Sequence, residues 1–435
     1  MDTLADRDRR VLWHPYTQMQ GAPPPIAIAR AAGATLYDTD GRPYLDAISS
    51  WWVTLHGHAH PHIAAAIARQ AGELEQVIFA GFTHRPAVEL AERLLPLLPG
   101  GMERLFFSDN GSTAVEVALK MAVQFWSNRG RPERSGFIAL DHAYHGDTLG
   151  AMAVSDRSPF TRAFEPLLVP VQRTHTAYCH RCPVGRTRAT CAIECLGRLE
   201  SQLAAHAATT AAVIVEPLLQ GAGGMIVQPR EFLQGVARLC RAYDVLLIAD
   251  EVLTGFGRTG TLFACQQADV RPDILCLAKG LTAGFLPMAA TACSGAVYAA
   301  FLSDDRARTF FHGHSFTANP LGCAAALASL EVFAREPVME RIAALGAQQA
   351  RRAAALRAHP RVADVRTIGT VAALELHDDG GYLAPVGPRL QRFALDRGVL
   401  LRPLGAVVYV LPPYCMTAAE LDQVWDVLGA GLEAG

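Results

Sequence analysis

Two rhythms of hydrophobic and polar positions run through most of the chain. The first is a short apolar run that stops at one polar or charged residue. Residues 104–108, 137–140, 212–216, 245–251 and 273–279 all have this form. Runs of this length suit buried strands and are too short for helices. The second rhythm is helical. It covers residues 63–98, where Pro86 predicts the first turn of a second helix, and returns at 111–122 and 230–243. Alternating strands and helices predict an α/β fold with a mostly parallel sheet.

The two ends depart from this pattern. Residues 27–48 read as short strands broken by Gly33 and by the turn Asp38-Thr-Asp-Gly41, a small antiparallel element. An Ala-rich helix is predicted from about Leu321, followed by an Arg/Ala helix over 340–359. Short strands follow at 362–366, 371–376, 399–402 and 407–411, and a helix closes the chain. We therefore expect an N-terminal segment (1–62) that belongs to a small domain, a large domain over 63–325, and a C-terminal α+β small domain over 326–435.

Composition narrows the class. The chain has 435 residues, 51% of them hydrophobic and 18% charged, which suits a large globular enzyme. A net charge of −2 without a basic run argues against nucleic acid as a partner. Ten cysteines without a secreted framework fit a reducing cytoplasm, and the first ten residues lack the apolar core of a signal peptide. Residues 280–303 carry no charge and are long enough to cross a bilayer. Their Ala, Gly, Thr and Ser content and Pro287 predict interior α/β structure instead, so no membrane partner is expected.

Candidate chemistry sits at the ends of the apolar runs. Asp250 ends one and Lys279 the next. Carboxyl ends of parallel strands are where open α/β sheets bind ligands. There Asp250 could anchor a cationic ring nitrogen, and Lys279 could act as a nucleophile that forms an imine. Gly111 and Ser112 lie between a strand and a helix, where free N–H groups and a hydroxyl could cradle a phosphate; an ordinary helix cap is the alternative. Tyr144, in a loop after a strand, could lie on a flat ring. Ser315 and Thr317 precede the next long helix and could make a second phosphate contact. Trp51 and Trp52 read either as core or as the wall of a pocket for an apolar substrate. Tyr16 reads as a packing anchor or as a lid on a substrate.

Two motifs raise the question of metal. His56, His58, His60 and His62 would share one face of a strand ended by Pro61, but no carboxylate or thiolate is spaced to complete a site, and no metal is expected there. Cys179, Cys182, Cys191 and Cys195 have spacing that could bind zinc. The second pair also reads as part of the following helix, which favours a local clasp over a metal site.

Taken together, Gly111-Ser112, His142-Ala-Tyr144-His-Gly, Glu216-Pro217, Asp250-Glu-Val-Leu-Thr-Gly-Phe-Gly-Arg-Thr-Gly260, Ala278-Lys279-Gly280 and His312-Gly-His-Ser-Phe-Thr-Ala-Asn-Pro320 resemble the class III pyridoxal-phosphate aminotransferases over nearly the whole chain. The resemblance implies fold type I, a homodimer with shared active sites, and pyridoxal 5'-phosphate as cofactor. It gives Lys279 the imine and the proton transfer, Asp250 the pyridine nitrogen, Tyr144 the ring face, and Gly111, Ser112 and, across a dimer interface, Ser315 the phosphate. Within the family, residues 13–19, 50–52 and 401–413 resemble the branch that aminates 8-amino-7-oxononanoate to 7,8-diaminononanoate in biotin biosynthesis, with adenosylmethionine as donor. That branch implies a substrate pocket of Tyr16, Trp51, Trp52, Tyr144, Lys279 and Gly313, a carboxylate on Arg402, and Tyr409 beside it. Three departures stand out. Leu253 replaces a common Gln, Gly313-His314-Ser315 replaces Gly-Pro-Thr, and the 179–195 insertion resembles members that use lysine as donor. The alternatives are therefore lysine as donor, or another ω-aminotransferase acting on a diamine or ω-amino acid.

Overall fold

The computed structural model describes residues 2–378 and 380–434. At its centre is a seven-stranded sheet. In spatial order its strands are Met102–Ser108, Ala289–Ser294, Ile274–Leu277, Leu246–Asp250, Thr210–Val215, Gly136–Leu140 and Gln172–Thr174. Ala289–Ser294 runs antiparallel to both neighbours, and the remaining pairs are parallel. Thr210–Val215 and Leu246–Asp250 are buried at every position, as unbroken apolar runs in a parallel sheet covered on both faces should be. Register places Asp250 beside Cys276, so the two strands end together and their next residues share one edge.

Helices cover the sheet. Gly111–Asn128 starts at an Asn110–Thr113 capping box and buries Val115, Ala118, Phe125 and Trp126. Pro320–Arg335 begins with proline in its first turn, with Asn319 accepting the Leu321 and Gly322 amides. The uncharged stretch 280–303 resolves into a turn, the central strand Ala289–Ser294 and the short helix Gly295–Ala299. Among the described residues no helix is long and apolar enough to cross a membrane.

Besides a two-stranded hairpin of Leu219–Gln220 and Ile226–Val227, two smaller sheets flank this body. Ile28–Ala32, Thr35–Asp38 and Pro43–Asp46 form an antiparallel meander, and Val399–Leu400 joins it in parallel to Pro43–Asp46. The chain's beginning is thereby stitched to its last third. Val362–Ile368, Val371–Leu376 and Val407–Val410 form the other sheet, with Arg366, Ala373 and Tyr409 in register across it.

Three expectations change. Residues 56–60 are not a strand, because Gly57 and Ala59 take left-handed backbone (φ 100° and 52°) and Pro61 opens the helix Pro61–Ala71 rather than ending an extended run. The four histidines diverge: His56 pairs with Ser329, His58 with Asp46, His60 with Glu336 and His62 with Glu331. Cys191 lies before the helix Leu196–His206, and Cys195 only caps it. Tyr16 is not a buried packing anchor: it is 46% exposed, lines the outer cavity and bonds Asp147.

Candidate active site

The carboxyl ends of the parallel strands open into a cavity of about 350 Å³ lined by Gly111, Ser112, Tyr144, Glu216, Asp250 and Lys279, among others. Each wall has a local cause. Gly111 and Ser112 occupy the first turn of an eighteen-residue helix, where amides lack helical partners and the dipole is positive. Backbone here is pressed close. A Cβ on Gly146 (φ 130°) would lie 2.1 Å from Ser112 Oγ, and one on Gly111 would lie 2.7 Å from a Val252 methyl. Ser112 Oγ accepts the Asp147 amide at 3.3 Å.

Asp250 is nearly buried and held in one orientation. Its Oδ1 accepts the Val252 amide at 3.0 Å, and its Oδ2 lies 2.7 Å from His145 Nδ1. His145 is itself buried, so the pair forms one rigid unit behind the cavity. Glu216 takes the Tyr144 and Gly221 amides, each at 3.0 Å. Burial pushes its carboxyl up to about 7, against the pull of those amides and of His145.

Lys279 follows the strand Ile274–Leu277 in left-handed backbone (φ 42°), a conformation that costs a non-glycine residue roughly 1–2 kcal/mol. This geometry turns its side chain into the cavity, with Nζ 4.8 Å from the centre of the Trp52 ring. Burial lowers the amine to about 8; the carboxylates of Asp250 and Glu216 oppose the shift without cancelling it. At pH 7 that leaves roughly 300-fold more neutral amine than an ordinary lysine has.

Beyond Lys279 a second cavity of about 530 Å³ continues outward, sharing Trp52, Tyr144, Gly146, Ala222 and Lys279 with the first. Tyr16, Trp51, Arg402 and Tyr409 line it. Tyr16 donates to Asp147 and lies 3.4 Å from the Tyr144 hydroxyl; burial pushes its phenol up to about 12. The Tyr16 ring meets Trp51 edge-on at 5.6 Å and Phe160 at 5.5 Å. Arg402 lays its guanidinium 4.0 Å over the Trp51 ring. Tyr409 is buried and receives the Trp52 indole N–H at 2.8 Å.

The tryptophans are presented by strained backbone. Ser49, Ser50 and Trp52 all have positive φ. Asp46 offsets that strain: its carboxylate accepts the Ile48 and Ser50 amides and contacts His58 at 2.8 Å, and charge-assisted bonds of this kind contribute about 1.5–3 kcal/mol each. Ser49 Oγ donates to the Leu411 carbonyl at 2.8 Å, fixing the segment to the far sheet.

Gly313 and Ser315 are not brought to either cavity of their own chain. They lie on an exposed loop, where the Ser315 carbonyl accepts from Gln76 at 2.8 Å. Four contributors escaped the sequence reading as site residues: His145, Glu216, Asp147 and Asp46. The first three sit in or beside the motifs already singled out. For Asp46 the sequence carries no comparable signal.

A family model described as aminotransferase class-III matches residues 16–432. The chain belongs to the class III aminotransferases. It is 50% identical to the adenosylmethionine-8-amino-7-oxononanoate aminotransferase of Synechococcus elongatus, over 96% of this chain and 97% of that one. It is 46% identical to the enzyme of that name from Geobacter sulfurreducens, over 98% and 96%. Among solved structures, the Methanocaldococcus jannaschii adenosylmethionine-8-amino-7-oxononanoate aminotransferase superposes with a TM-score of 0.93 at 36% identity, covering 99% of both chains. An omega transaminase from Pseudomonas jessenii in complex with PMP gives 0.94 at 29%, covering 100% of this chain and 98% of the other. Class III aminotransferases are pyridoxal-phosphate enzymes of fold type I, and the mixed sheet described above is of that type.

Proposed function

We propose that this aminotransferase converts 8-amino-7-oxononanoate to 7,8-diaminononanoate in biotin biosynthesis, taking the amino group from adenosylmethionine. The observation that carries the reading is the pairing of Lys279 and Asp250 at adjacent strand ends, opening on one cavity that continues to Arg402. The names of relatives at 44–50% identity over nearly the full chain supply the substrates.

The residues present fit pyridoxal phosphate. A helix N-terminus with a serine suits a phosphate, a fixed carboxylate suits a protonated ring nitrogen, and a partly neutral amine suits an aldehyde. When bound, the cofactor supplies a carbonyl that captures amino groups and a ring that accepts the electron pair left by proton removal. Asp250, oriented by His145 and the Val252 amide, would hold the ring nitrogen and favour its protonated form. The Lys279 amine takes a proton from the substrate carbon and returns it one position along. Tyr144, Trp52 and Tyr16 wall off water. Arg402 takes the substrate carboxylate in a two-pronged contact, with Tyr409 fixing the wall beside it.

The exposed loop carrying Gly313 and Ser315 would complete the site of a second copy, making the working unit a homodimer. Residues 63–325 would form the cofactor-binding large domain, with 1–62 and 326–435 joined as the small one. Ten free cysteines suit a cytoplasmic protein.

Arg402→Ala is expected to lower kcat/KM for the oxo acid about 100-fold, about 2.7 kcal/mol, mostly through KM. Steady-state kinetics with that acceptor decide it, and an unchanged specificity constant would defeat the assignment. A donor screen comparing adenosylmethionine with lysine, using the same acceptor, should give turnover with adenosylmethionine; turnover with lysine alone would replace the donor. The lowered lysine gives a further expected result. Capture of cofactor by the apoprotein should accelerate about tenfold per pH unit up to pH 8 and then level, since only the neutral amine attacks. Stopped-flow absorbance would show it, and a midpoint near 10 would mean the amine is not in this environment.

A further inference from the structure

The small three-stranded sheet puts two large polar side chains in register. Arg366 pairs with Ala373, and Ala373 with Tyr409. Paired residues on neighbouring strands point to the same face, so the face that carries Tyr409 to the cavity also carries Arg366. What Arg366 does there follows from its contacts. Its Nε donates to the Met225 carbonyl at 3.1 Å and its Nη2 to the Gly224 carbonyl at 2.8 Å. Its Nη1 donates to Glu375, Asp364 and the Tyr178 hydroxyl at 2.6, 2.8 and 3.1 Å. The side chain is only 7% exposed.

The carbonyls it grips belong to the segment 221–225, which forms a wall of both cavities through Ala222. That wall has little freedom elsewhere. Its near end is tied by the Gly221 amide to Glu216, and a Cβ on Gly223 would lie 2.2 Å from the His142 carbonyl. Met225 packs in one apolar cluster with Trp52, Leu253, Ala373 and Tyr409. Glu216 holds the segment from the large sheet and Arg366 from the small one.

Resting on the function proposed above, we infer that Arg366 is a positioning residue: it sets the distance between the 221–225 wall and the Tyr409–Arg402 wall, and so governs how well the oxo-acid substrate fits. Arginine is required for a geometric reason. Its planar fork donates to two successive carbonyls while a third nitrogen face meets the carboxylates, and a lysine ammonium cannot reach all three. The start of the cysteine-bearing insertion joins the same cluster, since Tyr178 and Arg181 both bond Glu375. The insertion thus shares the charged cluster on the far side of Arg366 from the two carbonyls.

The test uses the holoenzyme. Arg366→Lys should raise KM for 8-amino-7-oxononanoate about tenfold, with kcat changed less than about threefold and the bound-cofactor absorbance unaltered. Hydrogen exchange of the peptide 221–227 should quicken in the same variant. Glu375→Gln weakens the charged cluster yet leaves both carbonyl contacts, so it should lower Tm while leaving KM and that exchange near wild type. Wild-type exchange in Arg366→Lys would overturn the clamp. Faster exchange with an unchanged KM would overturn its role in substrate fit, as would an equal KM rise in Glu375→Gln. If the wild-type enzyme fails to aminate the oxo acid, the functional reading falls instead, and the exchange data still judge the clamp.

Discussion

Lys279→Ala should lower turnover by about 10⁴-fold or more while leaving the fold intact. Two losses combine. In the proposed mechanism the amine captures the cofactor and also moves the proton. No second amine takes over: the one other lysine, Lys120, bonds His312 Nδ1 at 2.9 Å and lines neither cavity. Stability should not fall with activity. The substitution removes a charge whose burial is unfavourable, as the lowered pKa records, and alanine bears the left-handed φ no worse than lysine. The expected signature is therefore a melting temperature equal to or above that of wild-type apoprotein. After borohydride reduction, intact mass should show cofactor attached to wild type and none to the variant. Attachment surviving in Lys279→Ala would place the chemistry on another amine and remove the basis of the proposed mechanism.

The parts of this site that could be read in the sequence are those where local pattern and chemistry coincide. An apolar run that ends in a lone charge has few readings, so Asp250 and Lys279 stood out, and their strands do end together at one edge. The strand, glycine-serine turn and helix around Ser112 were legible for the same reason. What failed depended on backbone that local pattern does not record. Alternate histidines at 56–62 mimic a strand, but left-handed Gly57 and Ala59 scatter the rings to four different partners. What was missed depends on contacts across the fold. Tyr16 meets Asp147 over 131 positions, and Asp46 acts on the tryptophans only because those residues are strained. The Gly224 carbonyl is held by Arg366 from another sheet, a contact that no local pattern records.

Asp250→Asn should cost about 10³-fold in kcat with cofactor still bound, and the reason lies in how the carboxylate is held. In the proposed mechanism cofactor capture rests on Lys279, Gly111 and Ser112, which the substitution does not touch. The charge opposite the ring nitrogen is lost. An amide in the same place must choose an orientation. Turned to accept the Val252 amide with its oxygen, as Oδ1 does now at 3.0 Å, it presents its NH₂ to His145 Nδ1 and so fixes the neutral imidazole tautomer with its proton on Nε2. Neither the amide nor that imidazole then carries charge, so nothing compensates a protonated ring, and proton removal from the substrate carbon loses its electron acceptor. A loss of about 10³ corresponds to about 4 kcal/mol, within the range expected for removing one fixed charge from a site shielded from water. Single-turnover kinetics with a substrate deuterated at the reacting carbon would check this, because proton removal should become rate-limiting and the isotope effect should grow. A variant with near wild-type kcat, or one that loses cofactor instead of rate, would show that Asp250 serves folding or binding and that the charge opposite the ring is supplied by another group.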